Sequence, residues 1–86
     1  FDLKEGDIVV IGGIIENIRD VLTKKNERMV FIEVSDFTGK IDVVVFPRIF
    51  DEFRSFIIPE ACIAIKGKVS KRNGETSLIA DKIKAL

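Results

Sequence analysis

Eighty-six residues are enough for one domain and too few for two with separate cores. Lysine plus arginine number 14, as do aspartate plus glutamate, so the formal charge is zero; this argues against a wholly basic surface of the histone-like or membrane-binding kind. Hydrophobic residues at 47% and charged ones at 33% make a globular composition, and no apolar run approaches the roughly 18 residues a spanning helix needs, so no membrane segment is expected.

The chain opens at Phe1 without methionine and shows no signal-peptide pattern, so it reads as an excised piece of a larger protein. It has no histidine and one cysteine, Cys62. That removes Ser–His–Asp and Cys–His nucleophiles, Cys/His zinc sites and an internal disulfide. Cys62 sits in the apolar run Ala61-Cys62-Ile63-Ala64-Ile65, which predicts a small buried hydrophobe. The aspartates are scattered without metal spacing, so no catalytic residue, metal or cofactor is expected in this piece.

In chain order, residues 8–15 are nearly continuous Ile and Val around Gly12-Gly13, and the pattern runs on through Ile18, Val21 and Leu22. One long strand with a glycine-permitted bulge fits, the glycines giving relief where a small barrel closes. A polar break at residues 23–28 follows. Residues 29–35 then alternate, Val30, Ile32 and Val34 one way, and Met29, Phe31, Glu33 and Ser35 the other. Asp36-Phe37-Thr38-Gly39 reads as a tight turn into a third strand over residues 40–46, with Ile41, Val43 and Val45 facing the core.

Pro47 starts a helical period: Ile49, Phe50, Phe53, Phe56 and Ile57 make one amphipathic stripe that ends at Pro59, and Phe46 is expected beneath its start. Residues 61–69 form a strand with Ile63, Ile65, Gly67 and Val69 on one side and Lys66 and Lys68 on the other. Asn73-Gly74 signals a hairpin into a last strand over residues 76–83. Five antiparallel strands with a helix between the third and fourth predict an all-β, five-stranded OB-fold, a Greek-key barrel occupying all of residues 1–86 as one domain. An SH3-like barrel accommodates that helix poorly.

Residues 21–31, from Val21 through Thr23, Lys24, Lys25, Arg28 and Met29 to Phe31, resemble the OB domain of bacterial DNA polymerase III α subunits, the C-family replicative polymerases, as do residues 34–39. Residues 41–47 and 65–70 extend the likeness along almost the whole chain. Asn26 stands where that family often has glycine, and asparagine also tolerates a left-handed conformation. Related patterns occur in anticodon-binding domains of aspartyl- and lysyl-tRNA synthetases and in helicase wedge domains. The resemblance implies a cytoplasmic, non-catalytic module that binds single-stranded template beside the other domains of a DNA-directed DNA polymerase, whose metal-holding carboxylates lie elsewhere. As an isolated piece it is expected to be monomeric. A docking or spacer role inside the enzyme, and an anticodon-binding role, stay open.

An OB barrel binds single strands over its second and third strands, between its first and last hairpin loops, using cations for phosphates and a ring for a base. Lys24, Lys25 and Arg28 give the first loop +2 net of Glu27, and Lys66, Lys68, Lys71 and Arg72 give the other end +4, against −6 elsewhere. Arg19, late in the first strand near the basic loop, is expected as a further phosphate contact. Phe31 lies on the outward phase beside Glu33; it either stacks a base or packs under a loop or against the rest of the polymerase. Asn73 is expected to serve its turn, and Phe37 to sit at a turn tip. No Asn/Gln/Arg set on a helix indicates sequence-specific readout.

Overall fold

Alternation of period two governs burial in the computed structural model, which describes residues 4–36, 39–72 and 74–86, the side chain of Arg72 excepted. Strand β1 is Ile8–Leu22, β2 Arg28–Asp36 and β3 Gly39–Val45; helix α1 is Pro47–Phe53, and β4 (Cys62–Arg72) and β5 (Glu75–Ala85) complete the chain. The strands close into a barrel in the order β1-β2-β3-β5-β4, with β4 returning to β1. All pairings are antiparallel except β3 with β5, which run parallel through Asp42↔Ser77, Val43↔Leu78 and Val44↔Ile79. Among the described residues, closure pairs every strand with two neighbours. The all-β OB-fold barrel expected from the sequence is the fold observed, with β3 and β5 parallel where all strands were expected antiparallel.

The inward phase of each strand supplies the core: Ile15, Val30, Ile32, Val43, Ile65 and Leu78 are at most 1% exposed. No buried polar side chain interrupts it among the described residues. Fully burying one such side chain contributes roughly 1.5–3 kcal/mol, so this apolar interior dominates stability.

Helix α1 begins as Pro47 dictates, at the first helical position where a missing N–H costs nothing. It runs only seven residues before a 3₁₀ turn at Arg54–Phe56, shorter than the single helix the periodicity predicts. A helix this short is not stable alone. Packing holds it: Ile49 and Ile57 are buried, and Phe50, Phe53 and Phe56 lie against the core cluster.

Two expectations are corrected. The bulge in β1 falls between Ile15 and Asn17, not at the glycines. Gly13 instead permits close approach, since a Cβ there would stand 2.4 Å from the Ser35 carbonyl oxygen and 2.8 Å from Val34 Cγ1. Cys62 is exposed, because Ile63 and Ile65 take the inward phase and turn it outward. The predicted turn residues Phe37, Thr38 and Asn73 lie outside the described residues; next to them, the Gly39 N–H donates to Asp36 Oδ1 at 3.2 Å, and Gly74 has φ +80°. Among the described residues no helix is long and apolar enough to cross a membrane, and no group of three or more Cys, Asp or Glu could hold a metal.

Candidate nucleic-acid interface

The outward phases of β2 and β3 meet on one face. Phe31 pairs with Val44 across these strands and with Arg19 of β1 on its other side. Phe31 is half-buried, and the Arg19 guanidinium lies over its ring, Cζ 5.1 Å from the centroid. The two side chains form one stacking unit: a base can lie on the ring or on the guanidinium plane, both of which stack nucleobases.

Glu33, beside Phe31, carries less repulsion toward phosphate than its charge suggests. Lys40 Nζ stands 3.6 Å from Glu33 Oε1, and Asn17 Nδ2 donates to the same oxygen at 3.2 Å.

A groove of about 610 Å³ runs over this face. Arg19 and Met29 stand on the side of the β1–β2 loop; Ser70, Glu75 and Thr76 stand on the side of the β4–β5 turn; Phe31, Val44 and Phe46 lie between. The trough therefore lies between the two hairpin connections that the sequence marks as basic. Among the described side chains, its own lining carries one cation, Arg19, against Asp42 and Glu75.

The β1–β2 rim is a preformed turn. Thr23 Oγ1 accepts the backbone N–H of Lys25 at 3.3 Å and of Glu27 at 3.2 Å, and the Asn26 N–H donates to the Thr23 carbonyl at 3.0 Å. Asn26 has φ +60°, the left-handed conformation that asparagine tolerates and glycine prefers. Lys24 and Lys25 are exposed on this turn. At the other rim Lys71 is exposed, its N–H held by Glu5 Oε1 at 2.7 Å, and Arg72 follows with its side chain outside the described part.

Two cations predicted for the binding face, Arg28 and Lys66, lie away from the Phe31 groove, and a third, Lys68, stands beside it. Arg28 shares the phase of Val30 and Ile32, and its Cζ stands 5.6 Å from the centre of the Phe50 ring, over which Arg54 also lies. Arg28 braces α1. Lys66 pairs with Val10 of β1 and Lys82 of β5, and shares an apolar depression with Val10, Phe53 and Lys84 away from Phe31. Lys68 lies between these sectors, beside Ile79 and Phe46. The reason is curvature: β4 is eleven residues long and coils around the barrel, so side chains two apart on one phase face successive sectors.

Phe46 is the residue missed. Expected beneath the helix, it is 43% exposed and lines the groove. Its signal was present, since it continues the outward phase of Val44 while Val45 points in. Asp42, Val44 and Ser77 complete the lining through the β3–β5 pairing, which no local pattern announces.

Residues 9–86 match the family described as OB-fold nucleic acid binding domain. The DNA polymerase III subunit alpha of Borreliella burgdorferi is 30% identical over 81 residues, covering 93% of the chain; the chain spans only 7% of that relative's length. Among solved structures, the mitochondrial single-stranded DNA binding protein of S. cerevisiae superposes with a TM-score of 0.78 at 14% identity, over 96% of each chain. The asparaginyl-tRNA synthetase of Entamoeba histolytica does so with a TM-score of 0.79 at 19% identity, over 99% of this chain and 22% of that one. At such identities the likeness is one of fold.

Proposed function

The chain belongs to the OB-fold nucleic acid binding domain family, and on that premise we propose that it is a non-catalytic module holding single-stranded DNA, without sequence preference, within a replicative polymerase α subunit. The observation that carries the reading is the Arg19–Phe31 stack lying in a groove between two basic connections. A stacked ring accepts any base, and rim lysines accept any phosphate, so the arrangement discriminates strandedness and not sequence. A duplex keeps its base faces inside the stack and offers this ring nothing. The Asp42 and Glu75 carboxylates in the lining keep affinity low, which suits a module tethered near its substrate, where effective concentration replaces intrinsic affinity. Phosphoryl-transfer chemistry is assigned to other parts of the larger protein, and the module's work is positioning template in the cytoplasm.

Fluorescence anisotropy at low salt tests this with labelled oligo-dT, the corresponding duplex and a folded tRNA. Oligo-dT should bind measurably and more tightly than duplex. Absence of oligo-dT binding, or equal affinity for duplex, refutes the reading. Strong preference for the tRNA favours the anticodon-type alternative, which the synthetase likeness supports at the level of fold.

A further inference from the structure

The groove over Phe31 does not end at β3. Phe46 and Ile79, which line it, also line a second depression of about 370 Å³ on the adjoining side of the barrel. The second depression brings together Ile8, Arg48 and Lys68 with Asp81 beside them. Phe46 thus lines both depressions and stands between them.

Geometry favours passage of one strand over this divide. Phe31 pairs with Val44, so Phe46, two residues on, is its diagonal neighbour, about 7–8 Å away. One nucleotide step of an unstacked strand spans that separation. Phe46 is fixed by its position: it precedes Pro47, which favours the extended conformation it adopts (φ −72°, ψ 159°), and β3 sets the outward phase.

Charge points the same way. Among the described side chains, the ionised lining residues around the Phe31 groove are Arg19, Asp42 and Glu75, net −1; around the second depression they are Arg48, Lys68 and Asp81, net +1. A phosphate is better received in the second depression than beside Phe31.

We propose that Phe46, Arg48 and Lys68 form a second nucleotide subsite, the base stacking on Phe46 and the phosphate held by the two cations. The strand passes from the Arg19–Phe31 stack across β3 and down the side of the barrel. This rests on the reading of the Phe31 groove as a single-strand site, and lengthens it.

The test measures affinities of the 86-residue chain for dT oligomers of roughly 4 and 12 nucleotides, lengths that bracket what OB barrels cover. Three variants are compared with the unmodified chain: Phe46→Ala, the exposed double substitution Arg48→Ser/Lys68→Ser, and Phe31→Ala. The long-to-short affinity ratio should fall about 5- to 150-fold in Phe46→Ala. In Arg48→Ser/Lys68→Ser the salt slope should drop by about 1.4 on the long oligomer. Phe31→Ala should weaken both lengths together. An unchanged ratio and slope in the double variant, whose side chains lie outside the core, overturns the subsite while leaving the Phe31 groove intact. Failure of the unmodified chain to bind either length overturns the groove reading itself, and the subsite with it.

Discussion

Replacing Phe31 by alanine removes the ring that a base would stack on without removing any charge from the chain. Stacking is worth about 1–3 kcal/mol per base, so the dissociation constant for oligo-dT should rise about 5- to 150-fold. The Arg19 guanidinium also loses its seat 5.1 Å above the ring, an exposed contact worth about 0.5–1 kcal/mol of stability. Because Phe31 is only half-buried, the total stability cost should stay below the roughly 3–5 kcal/mol typical of buried phenylalanine truncation. The assay is anisotropy of labelled oligo-dT across a salt series, with thermal denaturation by circular dichroism confirming that the barrel still folds. Stacking is not an ionic term, so the slope of log affinity against log salt should not change. An affinity within about twofold of the unmodified chain, the fold being intact, refutes the stacking role. A loss accompanied by a reduced slope shows that the ring acts by placing Arg19 and not by receiving a base.

Substitution of Lys24 and Lys25 by serine should lower the salt slope by about 1.4, one lost phosphate contact each, and Lys66→Ser should leave it unchanged; the same salt series reads both. Gly13→Ala should cost about 1–3 kcal/mol in urea unfolding, since its Cβ meets the Ser35 carbonyl oxygen at 2.4 Å and the strands must part. Asn26→Val should cost about 1–2 kcal/mol by the same measurement, whereas Asn26→Gly should be tolerated, because φ +60° suits glycine and not a β-branched residue.

Much of the fold was legible because its information is local. Val30, Ile32 and Val34 against Met29, Phe31 and Glu33 is a two-residue period, and the burial of β2 follows it residue for residue. Pro47 and the Ile49–Phe50–Phe53 spacing announced the helix, though not that it tightens into a 3₁₀ turn after Phe53. Within the candidate site, Phe31 and Arg19 were named from phase and position, and their stack was not. Proximity to Pro47 suggests a place beneath the helix for Phe46, but its phase in β3 turns it outward. The apolar run around Cys62 suggests burial, but alternation with Ile63 turns it outward.

By itself the sequence determined which residues form strands, which phase of each turns inward, and where the chain must turn. Whether a charge on the outward phase belongs to the binding face was decided only by closure of the barrel. Lys66 and Lys68 lie two positions apart on the outward phase of one strand, yet one shares a depression with Phe53 and the other with Phe46. Alternation reports inside against outside; the direction around the barrel follows from strand coiling and from long-range register, such as Val44 against Ile79, which no short stretch of sequence contains. The zero net charge is distributed by that same geometry, with lysines on the rims and carboxylates in the groove's lining.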